Sequence, residues 1–278
     1  MQEIFQWPAA DRRRIKGVFT DIDDTLTTDG VVTRDALAAL GALREAGLPV
    51  IAITGRSAGW SEPFAQSWPV TAIVAENGAV ALQLTTPGGL PADVDARNLL
   101  SKSYQQGNAT RLANYAQMQR MLERIEHEVP GARRATDSAG RETDIAIDHS
   151  EFEHLNETQI AAVVALMRSE GMNATVSSIH INGWFGTHNK WQGARWIVRQ
   201  LWGRDLEAEI SQWAFVGDST NDVLMFEAFP QSIGVANVRR FEAQLAHKPR
   251  FVTTAERGAG FAEVARALLA VRKPASSG

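Results

Sequence analysis

The chain has 278 residues, 44 % of them hydrophobic, enough for one large or two modest domains with a buried core. Its net charge of −4 gives no electrostatic case for nucleic acid or a membrane surface, and Arg12, Arg13 and Arg14 read as a solvated lead-in to the first strand. It has no cysteine, which excludes disulfides and thiolate chemistry.

The start of the chain, residues 1–8, lacks the basic end and apolar core of a signal peptide. No apolar run approaches the roughly 20 residues of a membrane helix. A cytoplasmic protein with neither nucleic-acid nor membrane partners is expected.

The first predicted strand is 15–20, and Asp21 and Asp23 emerge at its carboxyl end, where open α/β sheets bind ligands. Carboxylates this close are offset by a bound cation or a shared proton, or else lie in a solvated acidic turn. A calcium loop is ruled out, because Leu26 and Val32 occupy the places of its glycine and its glutamate. No GxxxxGK[ST] loop occurs. Thr33 caps a predicted helix with Leu37, Leu40 and Leu43 on its apolar side and Gly47 beyond its end.

A second strand, 48–53, runs into Thr54-Gly55-Arg56. A hydroxyl, a glycine N–H and a helix N-terminus together suit a phosphate oxygen. Another strand, 70–74, precedes Ala75-Glu76-Asn77-Gly78-Ala79. Strands alternating with helices predict a parallel sheet with helices on both faces.

Turn residues at 85–91 break this pattern. Beyond them come a helix over 109–128 with Leu112, Tyr115, Met121, Leu122 and Ile125 as apolar residues, and a half-exposed strand over 143–148. A helix over 157–170 and strands over 174–178 and 180–185 follow. That order predicts an antiparallel sheet with helices on one face, a separate α+β unit spanning 87–187. In it, His180, Asn182 and Trp184 alternate and share one strand face, suited to a sugar ring and its hydroxyls or to packing against a helix. Arg141 and Glu142 read as solvated turn residues, and His149 and His154 as surface residues, since their spacing fits no zinc motif.

Lys190 opens a helix ending at Trp202, an awkward place for a cation unless an anion lies beside it. The strand 214–216 ends in Gly217-Asp218, four residues before Asp222. Asp218 at the strand tip suits a metal, while Asp222 in a first helical turn has a structural reading as well. Strands at 232–236 and, at an edge, 251–253, and a helix over 261–271 complete the chain, with a disordered tail expected over 273–278.

In this order, DxDxT, TGR, Lys and GDxxND resemble the four motifs of the haloacid dehalogenase-like hydrolase superfamily. The resemblance covers nearly the whole chain. The long gap between Thr54 and Lys190, and residues 75–79, resemble its subclass IIB, which includes sucrose-phosphate, mannosyl-3-phosphoglycerate and phosphoglycolate phosphatases and the phosphomannomutases. It implies an α/β fold. A Rossmann-like parallel-sheet core is made by 1–86 and 188–278, and an inserted α+β cap, 87–187, governs specificity.

The resemblance further implies Asp21 as nucleophile, Asp23 as general acid and base, and Mg²⁺ held by Asp21, Asp23 through its carbonyl, and Asp218, with Asp222 in support or on the metal. Thr54, Gly55, Lys190 and Asn221 are implied as phosphate contacts. The expected activity is Mg²⁺-dependent hydrolysis of a small phosphorylated metabolite, foremost a sugar phosphate, through an aspartyl-phosphate, by a monomer or small homo-oligomer. A phosphomutase and a non-catalytic binding protein stand as alternatives. Dehalogenation fits poorly, because it needs neither a Mg²⁺ site nor an acid at Asp23.

Overall fold

The computed structural model describes residues 1–84 and 99–272; the turn segment at 85–91, the expected boundary at 86/87 and the expected disordered tail lie outside the described residues. In chain order the first elements are β1 (Gln2–Glu3), α1 (Ala9–Arg14), β2 (Gly17–Thr20), β3 (Thr27–Thr28), β4 (Val31–Val32), α2 (Arg34–Glu45), β5 (Val50–Ile53), α3 (Ala58–Ser67), β6 (Ala72–Ala75) and β7 (Val80–Leu84). Next come β8 (Leu100–Tyr104), α4 (Asn108–Glu128), β9 (Arg133–Arg134), β10 (Ile145–Asp148), α5 (Glu157–Ser169), β11 (Asn173–Val176) and β12 (His180–Trp184). The last are α6 (Lys190–Trp202), β13 (Trp213–Gly217), α7 (Val223–Ala228), β14 (Gln231–Gly234), β15 (Phe251–Val252) and α8 (Arg257–Leu269).

Nine strands form one sheet in the order β1-β15-β14-β13-β2-β5-β6-β7-β8, parallel from β1 to β6 and antiparallel through β7 and β8. Short apolar strands buried on both faces read as continuous hydrophobic runs, and β2, β5 and β6 do so. Alternate residues of β2 serve opposite layers: Val18 packs with α2 and α8, and Phe19 with α6 and α7. The expected two-faced α/β core is the observed one.

Two differences arise at the sheet's ends. The strand 251–253 was expected at an edge, but Gln2 and Glu3 pair outside it, a bridge too short to leave a periodic signal. At the other end β8 lies inside the segment expected as cap, yet pairs with β7 along its whole length. The large sheet thus runs past residue 87.

A second sheet, β11-β12-β10-β9, is antiparallel. Ile145, Ile147 and Ile181 pack there against Met118, Leu122 and Ile125 of α4 and Val163 and Met167 of α5. β10 was expected to be half-exposed, but all four residues are buried, and its one polar side chain, Asp148, accepts the N–H groups of Ser150, Glu151 and Phe152 in the loop that follows instead of meeting water. Leu112 and Tyr115, expected on the apolar face of α4, are 65 % and 39 % exposed, and burial begins only at Met118. Among the described residues no helix is long and apolar enough to cross a membrane.

One close approach sets the entry of α6. Gly78, in a left-handed turn at φ +105°, lies against Gly193, where an added Cβ would come within 2.5 Å of the Gly78 Cα. Backbone on backbone cannot yield as a side-chain tip can. Gly193→Ala is therefore expected to push the N-terminus of α6 away and to lower stability by about 1–3 kcal/mol, measured by urea denaturation; an unchanged midpoint would contradict this reading.

Candidate active site

The carboxyl ends of β2, β5 and β13 lie side by side, and each delivers a polar group. Asp21 follows β2, and its N–H donates to the Val216 carbonyl, which ties the β2 tip to its neighbour. Thr54 follows β5 with its N–H on the Val74 carbonyl, and its hydroxyl accepts from Arg56 N–H. Gly217 allows the tight turn into Asp218: an added Cβ there would fall 2.4 Å from Asp222 Oδ2. That oxygen accepts the Asp218 N–H at 2.9 Å.

Lys190 is the first residue of α6, whose N-terminus is capped by Asn189 accepting from Gln192 N–H. Its ammonium is buried and donates to Asp21 Oδ1 and to Asp222 Oδ1, both at 2.8 Å. These two carboxylates are the anions beside it, in place of the solvated surface position that the residue taken alone suggests. One oxygen from each of Asp21, Asp218 and Asp222 lies within 4.8 Å of the others, and all three residues are buried.

This cluster is short of positive charge. Three carboxylates face one ammonium, and Asp218 Oδ1 is buried without a hydrogen-bond partner. Buried charge of this kind is tolerated when a cation coordinates it. A hard, oxygen-seeking divalent ion fits the donor set. Asp222 already uses both oxygens, on Lys190 and on the Asp218 turn, so Asp21 and Asp218 are the freer donors.

Burial raises the Asp21 carboxyl to about 7, with Lys190 pulling it back and Asp222 and Asp23 pushing it further. Asp218 is raised well above its ordinary value by burial and then by Asp21 and Asp222. In the unfolded chain such groups ionise near 3.8. Raised carboxyls favour the fold fully below that pH, and the contribution is lost as pH climbs through the folded value. A cation that binds the ionised form offsets the loss. The rise in melting temperature given by Mg²⁺ over chelator is therefore expected to grow from pH 5 to pH 7.5; an increment independent of pH would count against these carboxylates as the ligands.

Asp23 stands apart from the cluster. Arg56 holds it through Nε at 2.9 and 3.0 Å and Nη2 at 2.8 Å. The same guanidinium reaches Glu151 in the smaller unit at 3.1 and 2.7 Å, and Glu151 accepts His180 Nε2 at 2.9 Å. Arg56 also lies over the Trp60 ring, 4.7 Å from its centre. Glu151 is correspondingly lowered, to about 2, by these partners outweighing its burial. Arg56 has no role that its residue type alone announces; its place directly after Thr54 and Gly55 is the one signal in the sequence.

A second set of contacts crosses between the units. The Gly55 carbonyl accepts from Arg141 at 3.0 Å and Asn182 at 3.1 Å. Arg141 also pairs with Asp137 and Asp144. Glu76 accepts from Ala58 N–H on one side and from Glu142 and Thr143 N–H on the other. Arg141, expected in solvent, is thus a buried interface residue, and the polar turn around it is polar because it faces these partners. Glu142, expected in solvent beside it, is only part-exposed and joins Lys102 and Tyr104. His149 is part-buried on the Ser177 carbonyl, and His154 is exposed.

The cap residues expected to touch substrate are all buried. His180 serves Glu151, Asn182 bridges Gly55 and Asp144, and Trp184 donates to the His188 carbonyl while packing in the smaller unit's core. Trp184 does line a 260 Å³ cavity with Lys190 and Asn221. None of the three borders the larger, 630 Å³ cleft that opens beside Asp23, Arg56 and Asp218. That cleft is walled instead by Ser150, Glu151, Phe152 and Ser178 of the smaller unit. Asn221, expected at the phosphate, accepts from Ser219 Oγ at 3.0 Å.

Residues 18–90, which carry Asp21, Asp23 and the Thr54 loop, match the family model for haloacid dehalogenase-like hydrolases. The match covers that segment alone, about a quarter of the chain, and it is there that the chain is similar to the family. No curated protein matches the sequence significantly. Solved structures of similar fold include a Thermoplasma acidophilum protein (TM-score 0.67, 16 % identity, 92 % of this chain and 98 % of that one). A Synechocystis sucrose-phosphatase, solved with sucrose and phosphate, matches with TM-score 0.61 and 15 % identity over 92 % of this chain and 98 % of its own. The C-terminal domain of C. albicans trehalose-6-phosphate phosphatase matches with TM-score 0.64 and 11 % identity over 95 % and 96 %. At these identities the likeness is one of fold. It extends through the smaller unit, since each of these matches covers more than nine-tenths of the chain.

Proposed function

We propose that the chain is a Mg²⁺-dependent phosphatase of a small phosphorylated metabolite, with residues from about 105 to 187 acting as a cap over the site. The buried cluster of Asp21, Lys190, Asp222 and Asp218 at the carboxyl ends of adjacent strands carries this reading. Asp21 attacks phosphorus and the bond to the leaving alcohol breaks, giving an aspartyl-phosphate. Asp23, a carboxyl two residues on, protonates that alcohol. As a carboxylate it then takes a proton from the water that attacks phosphorus and frees Asp21. Lys190, Thr54 and the Gly55 N–H hold phosphate oxygens, and Asn221 joins them. Asp21, the Asp23 carbonyl and Asp218, backed by Asp222, would hold Mg²⁺, which supplies charge neutralisation for phosphoryl transfer.

The 630 Å³ cleft beside Asp23 suits the leaving group. It is lined by Asp23, Asp24, Asp29, Glu151 and Asp218 against Arg56, Arg240 and Arg257. With Asp218 given to the metal, the remaining acids and the arginines nearly balance, and Arg56 is already held by Asp23 and Glu151, so the polar lining suits a neutral polyhydroxylated group such as a sugar. A panel of sugar phosphates and short acidic phosphate esters, assayed with Mg²⁺ and with chelator, tests this. Metal-dependent release highest on sugar phosphates is expected. Isomerised sugar phosphate in place of free phosphate would make the protein a mutase, and no turnover by folded protein would make it a binding protein.

A further inference from the structure

The opposite end of the large sheet holds a second, chemically different cleft. Asp21 follows the carboxyl end of β2; Lys16 and Pro49 precede the amino ends of β2 and β5 and border this cleft, of about 910 Å³. Six cations line it: Arg13, Arg14, Lys16, Arg44, Arg204 and Arg272. Among the described residues no Asp or Glu does. Only Arg204 has a carboxylate partner, Glu209 at 2.6 Å, and the other five form no ion pair among the described residues. Arg272 gives one N–H to the Ile15 carbonyl, and its Nε is buried without a partner.

Such a gathering is unexpected in a chain of net charge −4. Like charges repel, and surface cations in proteins are normally interspersed with acids. Part of the pattern has a local cause: α1, α2 and α8 end here, and cations complement helix C-termini. That cause covers Arg13, Arg14 and Arg44 at the helix ends. It does not place Lys16 and Arg204 around the same hollow, nor keep every Asp and Glu of the described residues out of its lining.

We propose that this cleft binds a compact, multiply charged phosphate anion, at a site separate from the catalytic one. Forked guanidinium groups match phosphate oxygens in pairs, and five unneutralised cations suit three or more negative charges better than one. This inference does not depend on the proposed activity.

Inorganic tripolyphosphate is the probe, titrated calorimetrically into the full chain in chelator, so that the metal site contributes nothing. Saturable binding is expected, weakening with added salt as charge-driven contacts do. The double variant Lys16→Glu/Arg44→Glu, whose residues are exposed, should weaken it at least tenfold while leaving phosphate-ester turnover intact. Orthophosphate should bind far less well. The absence of saturable binding would overturn the proposal. So would binding unchanged in the double variant, since the ion would then lie elsewhere. A variant that melts earlier but binds tripolyphosphate like wild type would reduce the cluster to helix-end stabilisation, and also overturn it.

Discussion

Asp21→Asn is expected to abolish phosphate release, by at least about 10³-fold in kcat, while making the metal-free protein more stable. Both effects have one origin. The carboxylate is the proposed nucleophile, and an amide of the same shape cannot form the covalent intermediate. It is also one of three buried carboxylates facing a single ammonium, so neutralising it relieves repulsion that burial leaves unscreened. Lys190 keeps Asp222 as partner. The melting temperature in chelator should rise, and the increment added by Mg²⁺ should shrink. Activity within tenfold of wild type would remove Asp21 from the role of nucleophile. A lower melting temperature in chelator would show that the cluster is balanced without a metal.

The second large effect is expected at Arg56. Its guanidinium forks to Asp23 and to Glu151 at once, from a buried position. Arg56→Ala strands two carboxylates and should cost about 3–5 kcal/mol, as does breaking a buried pair from one side. It should also reduce kcat by about 10²-fold, because Asp23 loses its orientation and general acid–base catalysis is worth at least that much. Arg56→Lys should recover little, since an ammonium cannot serve both forks. Glu151→Gln separates the two roles: Asp23 keeps its partner, and only the tie to the cap weakens. A smaller loss in kcat with faster hydrogen exchange at the interface is expected there. Equal kcat losses in Arg56→Ala and Glu151→Gln would mean that the tie to the cap, not the hold on Asp23, matters.

The fold and the site were legible to different depths. Residues 15–20, 48–53 and 213–217 announce themselves as buried strands because both faces are covered, and each ends in a residue that makes no sense in a core. Thus Asp21, Thr54 and Asp218 stand out at strand ends, while Lys190, at a helix start, stands out only through the order of motifs that the chain resembles. What could not be read depends on contacts between distant segments. Arg141, Thr143 and Asp144, just before β10, look like solvent-facing features, because polar residues facing Gly55, Glu76 and Asn77 leave the same pattern as residues facing water. His180, Asn182 and Trp184 alternate along β12, but alternation does not say what each side chain meets: Glu151, Gly55 with Asp144, and the smaller unit's core. The two-residue strand β1 is too short for any pattern.

The two hydrogen bonds that Gly55 receives from the other unit have a consequence for the order of events in a catalytic cycle. The backbone expected to cradle a phosphoryl group is finished by Arg141 and Asn182, so a raised cap leaves that cradle unsupported. If the smaller unit is the cap we propose, access and competence exclude each other. An open enzyme would admit substrate but be poorly built to act, and a shut one would act but exchange nothing. Slow, wasteful hydrolysis of passing phosphate esters would then be suppressed without any dedicated inhibitor, and turnover could not outrun the opening of the interface.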